Sequence, residues 1–526
     1  MTNSFAELED ARCIFIIGSN TTVAHPLIAT RIYRAKAKGA KLIVADPREI
    51  QMARFADIHV RHRLGTDVAL LNGMMHVIYK KGWHDRKFIA ERTENLEDLV
   101  KVIENWPPER AREVTGVAVD DIVQMADYYA HSQASSIVYC MGITQHTTGV
   151  DNVKSLANLS MLCGQIGRPS TGVNPLRGQN NVQGACDMGG LPNVYPAYQA
   201  VTVPENREKF EKAWKVCLSP NTGLTIMEMM DGILNGKIKA LVILGENPMV
   251  SDPDTNHVKH ALESAEFLMV VDIFPTPTTD LAHLVLPGVS FAEKDGTFCN
   301  SERRVQRVRK AREPVGESKV DWLIFQEISN RMGYPMDFHS SADIFEEMKR
   351  LTPSYAGMSY ARLEREGLCW PCPTTEHPGT VYLHKGKFSR GFGLFTPIEY
   401  RAPAEEPDQE YPFWLTTGRQ YMHYHTGTMS RRSPHLDKEM SESLTEIHPD
   451  DARGLDIADG DRVRISSRRG SVVSRAQVTD TVGKGVVFIP FHFAESSANI
   501  LTNAALDPVA KIPEYKVCAV KLEKAA

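Results

Sequence analysis

The chain has 526 residues, 42% of them hydrophobic, and its 60 lysines and arginines against 65 aspartates and glutamates give a formal net charge of -5. That length can bury several cores and suggests roughly three to four domains. The charge offers no electrostatic case for nucleic acid, and no apolar run approaches the ~20 residues that a membrane-spanning helix needs.

Near the start, residues 13–17 form an apolar run that ends at Gly18, Ser19 and Asn20. A helix-compatible stretch over 26–38 follows, and residues 41–45 then deliver Asp46. This is a strand, loop, helix, strand and acid unit. In open parallel sheets ligands sit at the carboxyl ends of strands, and an acid after the second strand commonly meets ribose hydroxyls or an amine. The loop has one glycine where a GxGxxG would have three, so the spacing supports a nucleotide while the NAD reading is weak. Further on, Gly65, Thr66 and Asp67 precede a periodic helix that runs to Lys80. Thr66 or Asp67 is the expected N-cap. The first-turn amides suit a phosphate, although capping alone explains these residues. Residues 135–141 read as another strand, ending in Gly142 to Gln145 before a helix over 153–166.

Residues 172–190 carry the densest polar signal, with Arg177, Gly178, Gln179, Asn180, Asn181 and Gln183 in a run almost without apolar filler. Glycines let backbone N–H groups approach a ligand closely, and each amide side chain both donates and accepts. Arg177 adds a planar fork suited to a small carboxylate. An ordinary polar surface loop accounts for any four of these residues but not for all of them together. A second α/β set follows, with strands expected at 238–244, 267–272 and 282–286. Gly245, Glu246 and Asn247 repeat the logic of Gly18 to Asn20, which hints at two related nucleotide-binding halves.

The Pro- and Glu-rich stretch 401–407 reads as a linker. Beyond it, residues 461–466, 471–478 and 485–490 alternate or run apolar between Gly and Asp turns, as in a small barrel. The expected fold class is therefore α/β, with doubly wound nucleotide-binding domains at 1–178 and 179–405 and a β-barrel domain at 406–526. The doublets Arg303-Arg304, Arg431-Arg432 and Arg468-Arg469 read as solvated faces or phosphate contacts. Nine cysteines lie scattered without a disulfide framework, which suits a reducing compartment, and the N-terminus carries no export signal, which favours the cytoplasm. Cys369 and Cys372 form a single CxxC, short of the four thiolates an iron–sulfur cluster needs, and read as a structural pair.

The run from Val173 to Met188 resembles the catalytic loop of the molybdopterin-dinucleotide oxidoreductases, and its wording most resembles the formate dehydrogenase branch. The resemblance continues along essentially the whole chain. It implies a bis(molybdopterin guanine dinucleotide) cofactor holding molybdenum or tungsten, and a barrel of the double-psi type. It implies that Asn20, Asp46, Arg48, Gly65, Asp67, Met141, Gly142 and Gln145 line one dinucleotide. The other dinucleotide falls to Gly245, Glu246 and Asn247 and to Gly418, Arg419, His423, Tyr424, Asn499, Tyr515 and Lys516. Asp46 is the best of these on chemistry, because a carboxylate accepts paired hydrogen bonds from ribose hydroxyls or guanine N–H groups. His423 and His425 lack the further ligands of a zinc or iron site, so no metal is assigned to this chain's own side chains. The stretch 290–306 also resembles a family signature, with Glu293, Asn300 and Arg303 in architectural roles.

By the same resemblance Arg177 orients formate as a catalytic residue with Gln179, while Gly178 and Asn180 support the loop or the pterin. Cys186 is not the metal ligand. The resemblance puts a cysteine or selenocysteine, followed by a histidine, ahead of Met1, and the cysteines of a 4Fe–4S cluster earlier still. A selenocysteine UGA codon read as a stop would account for that start. The expected protein is the C-terminal part of a catalytic subunit that, when complete, oxidises formate to CO2 or reduces CO2, and that is inactive alone. Expected partners are formate or CO2, an electron-transfer subunit or redox carrier, and hydrogenase or NAD-linked subunits, with no nucleic acid and no membrane insertion. Two alternatives remain. A sister enzyme acting on nitrate or another oxyanion is disfavoured by Arg177-Gly178-Gln179. A metal-free scaffold is disfavoured by the retention of Asp46, Gln145, Arg177, Arg419 and His423 together.

Overall fold

Five short strands carry the N-terminal part of the molecule, which is a computed structural model describing residues 1–525. Strands β1 (Cys13–Ile17), β2 (Lys41–Ala45), β3 (Ile58–Val60), β4 (Ser135–Tyr139) and β5 (Gly172–Pro175) form one sheet in the order β3-β2-β1-β4-β5. All four pairings are parallel. Parallel strands buried on both faces read as continuous apolar runs, and β1 and β4 are buried at every residue.

Helices cover the two faces separately. Phe15 and Ile17 pack with Leu70 and Met74 of α2 (Asp67–Lys80) and Leu156 of α3 (Gly149–Leu162), whereas Ile14 and Ile16 pack with Ile28 and Ile32 of α1 (Pro26–Ala37). Alternate residues of one strand therefore feed two cores, the signature of a doubly wound sheet. The helix expected over 153–166 begins earlier, at Gly149, and ends at Leu162.

The chain packs as two compact units. One joins residues 1–178, 250–255 and 382–526, and the other joins 179–249 and 256–381. In the second unit β6 (Ala240–Leu244), β7 (Phe267–Asp272) and β8 (Leu284–Pro287) form a smaller parallel sheet with β7 in the middle, followed by the antiparallel hairpin β9 (Gly296–Cys299) and β10 (Arg304–Val308).

The barrel belongs to the first unit. Strands β11 (Phe413–Gly418), β12 (Leu444–Ile447), β13 (Arg462–Ser466), β14 (Ser471–Val478), β15 (Val486–Pro490) and β16 (Cys518–Lys524) close in the order β11-β15-β12-β14-β13-β16. Leu415, Ile447, Val463, Ile465, Val487 and Val520 fill its interior. The α/β class with a closed C-terminal barrel is as the sequence leads one to expect.

The linker and the arginine doublets are tied more closely than expected. The stretch 401–407 is pinned rather than slack: Glu405 pairs with Arg468 and Arg469, and the Ala404 N–H donates to Glu514 Oε2 at 3.0 Å. Within the arginine doublets Arg432 and Arg468 are exposed, while Arg303 and Arg431 serve as internal ties. Arg303 is buried and donates to the Trp370 and Thr380 carbonyls, and Arg431 pairs with Asp437 and Glu495. A guanidinium has five donors in fixed directions, so it can tie several loops at once where lysine cannot.

Candidate functional site

Loops leaving the carboxyl ends of β1, β2, β3 and β4 converge on one cleft in the first unit, together with residues of the barrel. Gly18 follows β1, Asp46 follows β2, His62 lies just past β3, and Cys140 and Met141 follow β4. The strand order changes direction between β1 and β4, and a parallel sheet opens a crevice at such a switch point. There the Gly142 N–H donates to Gly18 O at 3.0 Å. Gly18 has φ +58°, and a Cβ on Gly142 would lie 2.6 Å from both Cα and O of Gly18. Backbone meets backbone here, so nothing can swing aside. Gly142→Ala is expected to push these two loops apart and strip the cleft of its ligand. The check is ligand content of the purified variant against the parent, and a parent-like content would contradict the point.

Asp46 is 8% exposed and accepts from the Arg48 N–H at 3.0 Å; burial raises its pKa, and Arg48, His62 and His59 only partly offset this. Beside it His62 Nε2 and Asp67 Oδ1 stand 3.0 Å apart, both fully buried. Burial disfavours both charges. The pairing outweighs it, so the His62 pKa is raised above 6.5 and the Asp67 pKa lowered below 3.8. The stability from Asp67 is present above its unfolded pKa and is lost as pH falls through the lowered one. The stability from His62 is present below 6.5 and is lost as pH rises through the raised value. Across mildly alkaline pH the parent should therefore lose stability that His62→Gln does not lose, and denaturation midpoints between about pH 6 and pH 9 measure the difference. Identical slopes would remove the charged pair.

Thr66 occupies the N-cap position of α2, but its hydroxyl donates to Arg63 O at 2.6 Å and caps nothing. His146, also in the cleft, is held through Nε2 by Gly142 O at 2.7 Å.

From the barrel side come Gly418, Arg419, Phe488, Phe491 and Lys516, so three residues expected at the other dinucleotide, Gly418, Arg419 and Lys516, share this cleft with Asp46. Lys516 donates to Thr417 O at 2.8 Å, and burial brings its pKa down to about 8. Arg419 reaches Gly178, where an added Cβ would lie 3.2 Å from Nη2. Arg48 lines the cleft with its guanidinium turned to the barrel: it forks onto Glu446 of β12 and stacks 3.6 Å over the Phe488 ring. Asn20, Gly65, Asp67 and Met141 also line this cleft.

The other residues expected in the first unit, Gln145, His423, Tyr424, Asn499 and Tyr515, are not part of its lining. Gln145 ends the short turn after Met141. His423 has both ring nitrogens engaged, by Ser430 Oγ at 3.2 Å and Met440 O at 2.6 Å. Tyr424 is partly exposed with its ring 6.0 Å from Arg419. Tyr515 offers its carbonyl to Thr417 Oγ1, and Asn499 donates to the carbonyls of Val250 and Ser251. His62, His146, Phe488 and Phe491 escaped the sequence reading. His62 was reachable by the strand-end rule applied to β3, while the two phenylalanines look like ordinary barrel residues.

After β5, Leu176 is tied back by its N–H to Tyr139 O at 2.8 Å, and Arg177 follows, half-buried. The rest of the polar loop belongs to the second unit, with Gln179 half-buried and Asn180 exposed. Within that unit the loop is firmly anchored through α4 (Val182–Asp187). Asp187 accepts from Tyr355 Oη, from Trp370 Nε1 at 2.8 Å and from Gln183 Nε2 at 2.8 Å, and Asn181 Oδ1 accepts from the Cys299 N–H at 2.9 Å. Gly245 ends β6 at φ +61°, matching Gly18 at the end of β1. Glu246 beside it has its pKa raised by burial, and Asn247 Oδ1 accepts from Thr278 Oγ1 at 2.7 Å.

Residues 1–331 match the molybdopterin oxidoreductase family and residues 413–519 the molydopterin dinucleotide binding domain. The chain is 53% identical over 528 residues to the F420-dependent formate dehydrogenase 1 subunit alpha of Methanococcus maripaludis, covering 100% of this chain and 78% of that protein. It is likewise 53% identical to the F420-dependent formate dehydrogenase subunit alpha of Methanocaldococcus jannaschii, with the same coverage. Formate dehydrogenase H of Escherichia coli is 40% identical over 533 residues, covering 100% of this chain and 74% of that protein. Among solved structures, acetylene hydratase from Pelobacter acetylenicus shares the fold with a TM-score of 0.77 at 20% identity, over 100% of this chain and 80% of that one. With its switch-point cleft, its barrel and these relatives, the chain belongs to the molybdopterin oxidoreductase family, in the branch of the formate dehydrogenase alpha subunits.

Proposed function

We propose that the chain forms the cofactor-binding body of a formate dehydrogenase catalytic subunit, which in the assembled enzyme oxidises formate to CO2 or runs the reverse reduction. Likeness to formate dehydrogenase alpha subunits along the whole chain supports the substrate. One observation supports the cofactor: Arg419 Nη2, His62 Nδ1 and His146 Nδ1 are buried in the cleft with no partner. Buried polar atoms are almost always hydrogen-bonded, so this cleft is built around a polar ligand that brings both donors and acceptors.

A pterin guanine dinucleotide fits that donor set. Asp46 accepts from guanine or ribose, Arg419 and Lys516 face phosphate, and Gly18, Gly65, Gly142 and Gly418 let the main chain approach. Asn20, Arg48, Asp67 and Met141 shape the same wall, with Gln145 closing the turn that Met141 opens. Gly245, Glu246 and Asn247 of the second unit serve the other dinucleotide, with His423, Tyr424, Asn499 and Tyr515 bracing the barrel loops. When bound, the molybdenum or tungsten bis-dinucleotide supplies the two-electron redox chemistry. This chain's own part is to bind, orient and exclude water. Arg177 presents two parallel N–H groups to the formate carboxylate and so fixes which way its C–H points, with Gly178, Gln179 and Asn180 holding the loop.

A cysteine or selenocysteine ligand and a 4Fe–4S cluster complete the electron path in the assembled enzyme. The names of two relatives support coenzyme F420 as the acceptor, reached through a partner subunit. Nine free cysteines support a reducing cytoplasmic setting, and no helix among the described residues is long and apolar enough to cross a membrane.

The test is the purified assembled complex, assayed for formate-dependent reduction of F420, NAD and a viologen dye, with metal and guanine nucleotide measured on the same sample. Formate oxidation with both guanine nucleotide and molybdenum or tungsten present is the expected result. A loaded complex that turns over another oxyanion and not formate would move the chain to a sister activity. A complex with neither metal nor nucleotide would leave a scaffold.

A further inference from the structure

His25 lies between the short helical turn Thr21–Ala24 and α1, just ahead of Pro26. Its main chain is held rigidly: its N–H donates to Thr21 O at 2.9 Å, and its carbonyl accepts from the Ile28 and Ala29 N–H groups, both at 3.0 Å. From this fixed base the imidazole reaches across to the loop after β5, where Nε2 lies 2.6 Å from the carbonyl oxygen of Arg177. A carbonyl can only accept. Nε2 therefore carries the hydrogen, and the neutral ring leaves Nδ1 as an acceptor. Nδ1 is buried with no partner, so the bond to Arg177 is the one hydrogen bond of this ring among the described residues. Burial lowers the imidazole pKa, the bond to Arg177 offsets this only in part, and the Arg419 charge adds to the lowering.

At the same peptide, a Cβ at Gly178 would run into the Met141 methyl and come within 3.2 Å of Arg419 Nη2. The Arg177–Gly178 peptide is thus closely packed at Gly178 as well as bonded by His25.

We propose that His25 is a positioning residue for Arg177: its Nε2–H sets the direction of the Arg177 carbonyl, and with it the direction in which the Arg177 side chain leaves the loop. Rotating that peptide moves the root of the guanidinium, and a fork aimed at a three-atom carboxylate tolerates little misdirection. His25 touches neither substrate nor reacting atoms and acts through Arg177 alone. The inference rests on the reading of Arg177 as the group that orients formate.

Two substitutions in the assembled enzyme test it. His25→Phe keeps ring volume and removes the donor; His25→Gln keeps a side-chain N–H at comparable reach and loses the ring. The expected result is that His25→Phe lowers kcat/KM for formate at least tenfold at parent metal content, with KM carrying much of the change, and that His25→Gln recovers most of that loss. A His25→Phe enzyme with parent kinetics, or a His25→Gln enzyme as poor as His25→Phe, overturns the proposal, since either makes the ring a packing element. Hydrogen exchange of the peptide covering residues 172–190 gives a readout independent of turnover. It should be faster in His25→Phe than in the parent, and near parent rates in His25→Gln. Equal exchange in all three overturns the strut. If the parent complex oxidises no formate, the functional reading falls while the exchange series still decides the role of His25.

Discussion

Arg177→Ala in the assembled, metal-loaded enzyme is expected to lower kcat/KM for formate on the order of a thousandfold. Two charge-assisted hydrogen bonds to the carboxylate are lost, each worth about 1.5–3 kcal/mol, and every ~1.4 kcal/mol is a factor of ten. Arg177→Lys separates charge from geometry. Lysine keeps the positive charge as a point and loses the planar fork, so it should recover only part of the loss, with formate held but misaligned and kcat remaining low. Steady-state formate oxidation with an artificial electron acceptor measures both variants, and metal analysis shows that the cofactor is still there. A Lys variant equal to the parent would reduce Arg177 to a source of positive potential. An Ala variant equal to the parent would take it out of the site.

The second large effect concerns stability. Arg48→Ala leaves Glu446 buried at 6% side-chain exposure without its guanidinium, and removes the stack on Phe488. Breaking a buried pair from one side typically costs about 3–5 kcal/mol, because the remaining carboxylate is uncompensated. The double variant Arg48→Met, Glu446→Leu removes both charges and should return much of the loss, since well-packed apolar replacements of buried pairs are often neutral. Urea denaturation of the parent, the single and the double variant gives the comparison. The double variant should still bind the dinucleotide less well, because Arg48 lines the cleft as well as tying it to the barrel. If the single variant is as stable as the parent, the pair is not the clasp between sheet and barrel.

What could be read from the sequence follows the range of the interactions involved. β1, β2, α1 and Asp46 are legible because a parallel unit is local: an apolar run, a turn, an amphipathic helix, a second run and an acid all lie within about forty residues. Gly18 and Gly245 are legible for the same reason, each ending a strand at positive φ. Arg48 was singled out from the sequence, yet its partner Glu446 stands 398 positions away, and nothing near either residue announces the other. The internal ties of Arg431 and Arg469 were missed for that reason, as were those of Glu405 in the stretch read as a linker. His423 drew attention as part of an unusual cluster, but which ring nitrogens are already engaged depends on how the barrel loops fold back, and no spacing rule carries that. The loop 172–190 was legible as a dense polar run by composition alone, while the anchoring of its helix through Asp187 depends on Tyr355 and Trp370, more than 160 residues further along.

The closing strand of the barrel has a consequence for the cleft. β16 sits between β11 and β13, and without it the barrel is an open sheet whose two edges lack partners. Lys516, two residues before that strand, cannot take its place in the cleft until the strand pairs. The two cores of the N-terminal sheet contain no residue of this strand, so they do not depend on its pairing. The barrel side of the cleft does: a strand that frays from both neighbours takes the Lys516 wall with it, and the lining is then only as durable as the pairing of β16.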